Sequence, residues 1–231
     1  MLCVILLRKI FFLLERQKQI IYIILMIPHS MDKKYISIDI EASGPTPGKY
    51  SMISFGACIV GNRELQFYRE LKPLNHNYVT EAMKIGCLGL RCLDNLKSQD
   101  EFNPKSGIFN PRKVLELLSD VGEEVQKALS EYVSWIKLNT KGFKPIEAAT
   151  AIKFDAMFTS WYFDNFYDGE NPLGHSGEDM NSFYRGIMRN PNVSMKDLNL
   201  RDERSLPHNA LEDAIQQAKE FEEVLRIMKS E

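Results

Sequence analysis

Apolar and polar positions alternate early in the chain, which predicts a β-strand with two different faces. From Lys34 to Glu41 isoleucine occupies every second position from Ile36 to Ile40, the spacing of residues that share one side of a strand. A run of apolar and small residues from Met52 to Val60, a turn at Gly61 and Asn62, and a segment from Leu65 to Leu71 follow. The pattern therefore predicts three antiparallel strands at the start of the fold.

Helical spacing dominates the rest of the chain. Apolar residues recur at helical intervals from Pro111 to Ile136 and predict one long helix, with Pro111 in its first turn. A short strand over residues 146–152 then runs into an aromatic-rich helix, and an amphipathic helix capped by Asn209 ends the chain. Strands followed by helices with an interleaved strand predict a single α/β or α+β domain.

Shorter elements are less distinctly patterned. Helices are predicted over Thr80–Cys87, over Asp179–Met188 with Asp179 as a possible cap, and at the start of Ser194–Leu198, whereas residues 169–177 are predicted to be loop.

Residues 1–30 have a different composition from the rest of the chain. Their apolar runs are interrupted by Arg8-Lys9 and by the charged segment from Glu15 to Lys18. No run reaches the roughly 18 apolar residues of a membrane-spanning helix, so no integral span is expected. A basic amphipathic helix on a membrane surface is one interpretation. We favour the hypothesis that translation begins at Met31, with residues 31–231 forming the functional domain and residues 1–30 lying outside the native protein.

Composition restricts the partners and the compartment. Of the 231 residues 44% are hydrophobic and 26% charged, which is typical of a globular protein. The formal net charge of −2 excludes a basic surface that coats nucleic acid, so contact with nucleic acid must be local. The four cysteines form no CxxC pair, which excludes a zinc ribbon and predicts reduced thiols in a cytoplasmic protein.

Acidic residues recur at three places where the elements begin or end. Asp39 and Glu41 lie two residues apart on the first strand and therefore share a face. Asp155 lies where a strand becomes a helix, and Asp213 lies in the first turn of the last helix, five residues after His208. Like charges on one face are unfavourable unless a cation, a proton or water offsets them.

This set of residues has a simple chemical interpretation. Carboxylate oxygens suit Mg²⁺ or Mn²⁺, and two such ions about 4 Å apart can hold an attacking water and a leaving oxygen. A histidine in a loop can accept the proton of that water. Plainer alternatives are a surface strand with solvated acids, an Asp213 that favours the helix dipole, and an ordinary loop histidine at position 208.

Three segments in order resemble the motifs of a known family. Ile38-Asp39-Ile40-Glu41 with Ser43-Gly44, then Phe154-Asp155, then His208-Asn-Ala-Leu-Glu-Asp213 are similar to the motifs of the DnaQ-like (DEDDh) 3′–5′ exonucleases. That family includes RNase T, oligoribonuclease and the proofreading exonucleases of bacterial replicases. The resemblance spans roughly residues 33–229. It implies a ribonuclease H-like mixed sheet flanked by helices, in which parallel strands follow the three antiparallel ones.

The resemblance also implies an activity and a role for each residue. The enzyme would hydrolyse phosphodiester bonds at the free 3′ end of single-stranded DNA or RNA and release nucleoside 5′-monophosphates, with two divalent ions, Mg²⁺ or Mn²⁺. Asp39 would bridge both ions, Glu41 and Asp213 would hold the first, and Asp155 would hold the second. His208 would be the general base. The implied contacts with the terminal nucleotide are Ala42, Ser43, Gly44 and Thr46.

One segment departs from the family pattern. Many relatives carry a His-Asn or Gly-Asn pair shortly before the second aspartate, where this chain has Ala148 to Lys153. Lys153 could contact a phosphate or only extend along the surface. A non-catalytic nucleic-acid-binding adaptor and a phosphodiesterase of very short oligonucleotides are the alternative functions. The sequence leaves the choice between DNA and RNA, and the oligomeric state, open.

Overall fold

A five-stranded mixed sheet forms the centre of the computed structural model, in the order β3-β2-β1-β4-β5. The central strand β1 (Lys33–Ala42) pairs antiparallel with β2 (Met52–Ile59), which pairs antiparallel with β3 (Asn62–Glu70). On its other side β1 pairs parallel with β4 (Lys144–Ala149), and β4 pairs parallel with β5 (Gly177–Asp179). This topology confirms the predicted ribonuclease H-like mixed sheet.

The structure describes residues 32–200 and 208–230. Within these ranges the α-helices are α1 (Thr80–Gly86), α2 (Pro111–Val121), α3 (Val125–Asn139), α4 (Ile152–Phe166), α5 (Met180–Ile187) and α6 (Ala210–Ser230). Short 3₁₀ turns occupy Arg91–Leu93, Asp100–Phe102 and Met195–Leu198. None of the described helices is long and apolar enough to cross a membrane. The extension predicted for residues 1–30 lies outside the described residues, so the predictions about it remain untested.

The single long helix predicted from Pro111 to Ile136 is wrong, because the structure divides it into α2 and α3. Gly122 adopts an extended conformation after α2. The next residue, Glu123, pairs its backbone with the end of β3: its N–H donates to the carbonyl of Glu70 at 2.8 Å, and its own carbonyl accepts from Lys72 at 3.0 Å. A contact with a distant strand thus interrupts a helical pattern that is continuous in sequence.

Two boundaries near the sheet also differ from the prediction. The strand predicted at 146–152 is β4 at Lys144–Ala149, and Ile152 already begins α4. Gly177, the last residue of the predicted loop, begins β5, and Asp179, where a helix was predicted to begin, ends this strand and caps α5 as predicted. Three residues are too few to show a strand periodicity, so this edge strand has no detectable sequence signal.

The two faces of β1 have different surroundings. Ile36, Ile38 and Ile40 point to one face and belong to a buried cluster with residues of α3 and α4. Ser37 points to the other face, where its hydroxyl donates a hydrogen bond of 2.8 Å to the backbone carbonyl of Ala214 in α6. Asp39 and Glu41 share that second face, so they point toward α6 from the central strand of the sheet and do not lie on an exposed surface strand.

A glycine on β2 allows α6 to approach the sheet closely. Gly56 pairs with Asp39 across the β1–β2 ladder. A Cβ atom at Gly56 would lie 2.2 Å from the backbone nitrogen of Leu211, at the start of α6. Because the obstructing atom belongs to the backbone, it cannot rotate away as a side chain would. The absence of a side chain at Gly56 thus brings the beginning of α6 next to Asp39.

Gly56→Ala is therefore expected to destabilise the fold by about 1–3 kcal/mol through overpacking. Gly186→Ala in α5 is the matched control, since a Cβ there meets nothing within 4 Å. We expect the control to be neutral or stabilising by about 0.5–1 kcal/mol, as a helical glycine is replaced by alanine. Urea unfolding of both variants measures the difference, and equal stabilities would contradict the proposed contact.

Candidate active site

Three of the five predicted site residues meet at the start of α6. One ligand atom from each of Glu41, His208 and Asp213 lies within 4.8 Å of those from the other two, and all three side chains are partly exposed. Glu41 comes from β1, His208 immediately precedes the cap of α6, and Asp213 lies in the first turn of α6. Residues more than 160 positions apart in the sequence therefore form one cluster.

Asp155 contacts β1 on the side where β4 pairs with it. It lies in the first turn of α4 and is buried, and its Oδ1 accepts the backbone N–H of Ile40 at 3.1 Å. The pairing of β1 with β4 ends at Ser37 and Ala148, so β1 has no strand partner at Ile40 on this side. Asp155 takes that position and is anchored to the residue between Asp39 and Glu41.

A glutamine that the sequence analysis did not single out contacts Asp39. Gln217 in α6 donates from Nε2 to Asp39 Oδ1 at 2.8 Å, and its Oε1 accepts the backbone N–H of Thr150 at 2.6 Å. Its signal in the sequence was its position four residues after Asp213, which places it on the same face of the helix one turn later.

Burial, and then the charges of neighbouring carboxylates, raise the pKa of Asp39 and Glu41. The pKa of Asp39 lies well above its usual range because of burial first, and then because of the charges of Asp155 and Asp213; the Gln217 hydrogen bond opposes this. The pKa of Glu41 is likewise raised well above its usual range by burial and then by Asp39 and Asp213. The cluster thus holds several oxygen donors whose negative charges are unfavourable together, which is the environment that a divalent cation would relieve.

His208 is held by its neighbour. His208 has a left-handed backbone conformation with φ 47°. The buried Asn209 accepts the N–H groups of Leu211 and Glu212 with its Oδ1, at 3.1 and 3.3 Å, and thereby caps α6 as predicted. Its Nδ2 donates to the carbonyl of Gly89 at 2.7 Å. Asn209 thus fixes the chain directly after His208 to both the helix and the loop after α1.

The predicted nucleotide contacts lie in and after the last residues of β1: Ala42, Ser43, Gly44 and Thr46. The first three are buried, whereas Thr46 is exposed. The hydroxyl of Ser43 donates to the carbonyl of Asn77 at 2.8 Å and accepts the N–H of Ser51 at 2.9 Å. The Ser43 side chain therefore holds the turn together, and Thr46 is the member of this set whose side chain is open to a ligand.

Lys153 lies in the first turn of α4, two residues before Asp155, and is exposed. Its position leaves it accessible to a phosphate, and its contact with substrate stays a prediction.

Glu147 is a further acidic residue near the site. The sequence pattern did not reveal it, because it lies within the short strand β4. Its carboxylate is buried and accepts a hydrogen bond of 2.8 Å from the hydroxyl of Thr159 in α4. Burial raises its pKa from 4.5 to about 7, and the hydrogen bond from Thr159 opposes that shift. Its charge in turn contributes to the raised pKa of Asp155, second to the burial of Asp155 itself.

A curated relative carries the same activity that the motifs imply. The chain is 29% identical over 198 residues to the 3′-5′ DNA exonuclease Cap18 of Escherichia coli, an alignment that covers 81% of this chain and 89% of that protein. No protein-family model matches the chain.

Solved exonuclease structures have the same fold. The nuclease domain of 3′hExo, a DEDDh family member bound to rAMP, is 14% identical with a TM-score of 0.58, over 86% of this chain and 94% of that one. E. coli Exonuclease I in complex with a dA16 oligonucleotide is 15% identical with a TM-score of 0.53, over 86% of this chain and 43% of that one. Together with the curated relative, these likenesses confirm the resemblance to DnaQ-like exonucleases that the motifs indicated.

The pKa of Glu147 generates a prediction about stability and pH. Because its pKa rises from 4.5 to about 7 on folding, the folded protein binds the proton more tightly. Stability should therefore fall as the pH rises from about 4.5 through about 7. Glu147→Gln removes the ionisation and keeps an acceptor for Thr159, so we expect it to gain up to about 3 kcal/mol over the parent near pH 8.

Urea unfolding at several pH values, with EDTA present, measures this gain. Glu123→Gln is the control of opposite sign, since a hydrogen bond from Lys127 lowers the pKa of Glu123 and its removal should give no gain near pH 8. A Glu147→Gln variant with the pH profile of the parent would contradict the prediction.

Proposed function

We propose that this protein is a metal-dependent 3′–5′ exonuclease that removes nucleoside 5′-monophosphates from the free 3′ ends of single-stranded nucleic acid. The observation that carries the proposal is the cluster of Glu41, His208 and Asp213 at the start of α6, with Asp39 and Asp155 close enough for charge to act among these carboxylates. The ribonuclease H-like fold and the activity of the curated relative support it.

The four carboxylates would hold two divalent ions, Mg²⁺ or Mn²⁺. The fit rests on the set of ligand atoms, which are almost entirely carboxylate oxygens, and on the burial and mutual repulsion that raise the pKa of Asp39 and Glu41. Bound ions would offset the negative charge of the carboxylates and stabilise the negative charge that develops on the scissile phosphate.

His208 is proposed to be the general base. One of its ring nitrogens lies within 4.8 Å of carboxylate oxygens of Glu41 and Asp213, so it borders the space where water would attack. The water oxygen forms a new bond to phosphorus while the bond from phosphorus to the 3′ oxygen breaks. His208 accepts the proton of the water and later releases it to solvent. The 3′ oxygen of the shortened strand takes a proton from solvent and becomes a hydroxyl, and the nucleoside 5′-monophosphate leaves.

The 3′-terminal nucleotide is proposed to lie against the turn after β1. Because Ala42, Ser43 and Gly44 are buried, their contribution would come from the backbone and from the shape of the turn. Thr46 offers an exposed hydroxyl, and the exposed Lys153 offers a cation for a phosphate beside Asp155.

A DNA end is the better-supported substrate. The relative that aligns over 81% of this chain is named a DNA exonuclease, whereas the structures with bound rAMP or dA16 share only the fold with this chain. A length series of single-stranded DNA and RNA oligomers tests this preference. Faster cleavage of dimers than of long strands would instead favour the phosphodiesterase of very short oligonucleotides, and binding without cleavage would favour the adaptor.

Asp39→Asn is expected to reduce mononucleotide release by about 10³-fold or more, because it removes a charged metal ligand worth several kcal/mol in the transition state. Asp164→Asn, at an exposed position of α4, is the matched control and should retain activity. Release of mononucleotides from 3′-ended single strands with Mg²⁺ or Mn²⁺ measures both variants, and EDTA should abolish the activity of the parent. Full activity of Asp39→Asn would refute the proposal.

His208→Ala should lower kcat by about 10²–10⁴-fold, the usual contribution of a general base. The expected loss lies mainly in kcat, since His208 acts on the water and not on the nucleotide. Single-turnover cleavage of a 3′-labelled oligonucleotide separates the chemical step from binding. An unchanged single-turnover rate would exclude His208 as the base.

A further inference from the structure

We propose that Gln217 is a positioning residue that fixes the carboxylate of Asp39 for ion binding and ties it to the turn that carries Asp155. The role in catalysis rests on the function proposed above. The positioning itself rests on two hydrogen bonds of Gln217 and on the place of its partners in the fold.

Gln217 reaches Asp39 from the helix that also carries Asp213. It is 6% exposed and lies one turn after Asp213 in α6. Its Nε2 is 2.8 Å from Asp39 Oδ1, and its Oε1 is 2.6 Å from the backbone nitrogen of Thr150. Both polar ends of a buried side chain are therefore satisfied by partners of fixed position.

The orientation of the amide is determined by these partners. The backbone N–H of Thr150 can only donate, so it must face the oxygen of Gln217. The NH₂ group then faces Asp39, whose ionised carboxylate can only accept. The reverse orientation would place donor against donor and acceptor against acceptor, so a single arrangement satisfies both contacts.

This arrangement selects one oxygen of Asp39. The hydrogen bond engages Oδ1 and restricts rotation of the carboxylate, which leaves Oδ2 in a defined direction. Groups that orient a metal ligand in this way typically change metal affinity by about 10–100-fold. Gln217 thus has the geometry of such an orienting group.

The second contact extends the effect to the turn before Asp155. Thr150 lies between the end of β4 at Ala149 and the start of α4 at Ile152. Ala151 in this turn has a left-handed conformation with φ 53°, which is unusual for a residue other than glycine. Because Gln217 holds the N–H directly before Ala151, it stabilises the turn that places Asp155. One amide therefore connects the elements that supply Asp39, Asp155 and Asp213.

Gln217→Met tests the proposal, since methionine has a similar length and neither hydrogen bond. The matched control is Gln216→Met at the adjacent position, whose amide contacts the carbonyl of Leu200 and the carboxylate of Glu220. Gln217→Asn is the milder second variant: it keeps the amide but is one methylene too short to span both partners. Thermal unfolding in EDTA checks that each variant folds.

Mn²⁺ binding, followed by the EPR signal of the free ion and without nucleic acid, is the main measurement. We expect Gln217→Met to bind Mn²⁺ about 10–100-fold more weakly than the parent, Gln217→Asn to be weakened in the same direction, and Gln216→Met to be unchanged. In cleavage assays of the Gln217 variants, we expect kcat to fall by a larger factor than KM rises.

The outcomes separate this inference from the proposed function. A folded Gln217→Met that binds Mn²⁺ as the parent does would overturn the inference alone; if that variant does not fold, the same result for Gln217→Asn decides. If Gln217→Met binds Mn²⁺ more weakly than the parent and the parent itself cleaves no nucleic acid, the positioning role is supported and the exonuclease is overturned. A parent that binds no Mn²⁺ would overturn both.

Discussion

The structure is organised around the repulsion among carboxylates gathered on one side of β1. Asp39, Glu41 and Asp155 all have a raised pKa, for which burial is the first cause and other carboxylates contribute. Such groups are stable together only when protons, hydrogen-bond donors or cations offset their charges. The hydrogen bonds that Gln217 donates to Asp39 and Ile40 donates to Asp155 offset part of this negative charge, and the remaining charge is available to bind cations.

Close packing of α6 against the sheet makes this concentration of charge possible. Gly56 admits the start of the helix beside Asp39, and Ser37 binds the backbone of Ala214 from the same face of the sheet. The approach brings the first turn of α6 to the sheet, and with it Asp213, whose negative charge the helix dipole favours at that position. The same packing that buries the acids therefore supplies part of their compensation. Asn209, by capping α6 and binding Gly89, sets the position from which His208 enters the site.

Local patterns predicted the parts of this arrangement that depend on neighbours in the sequence. The alternation in β1 placed Asp39 and Glu41 on one face, and the cap at Asn209 marked the start of α6. The break between α2 and α3 was not predictable, because it arises where Glu123 pairs with residues beside β3. Gln217 was missed because its partners, Asp39 and Thr150, are remote from it in the sequence. Glu147 was missed because it lies in the short strand β4, and its effect on Asp155 depends on how the chain turns from β4 into α4.

The charge of the protein limits how it can meet a nucleic acid. The chain has a formal net charge of −2, and the proposed site is itself a group of carboxylates, so a phosphodiester backbone is not attracted by the protein surface as a whole. Attraction must then arise where cations offset the acids, which restricts it to the few phosphates beside β1. The turn after β1, which Ser43 holds together, lies on one side of the proposed site. The start of α6 lies on the other side. The same acidic residues that exclude a nucleic-acid-coating protein are therefore consistent with an enzyme that contacts only a few phosphates at a time.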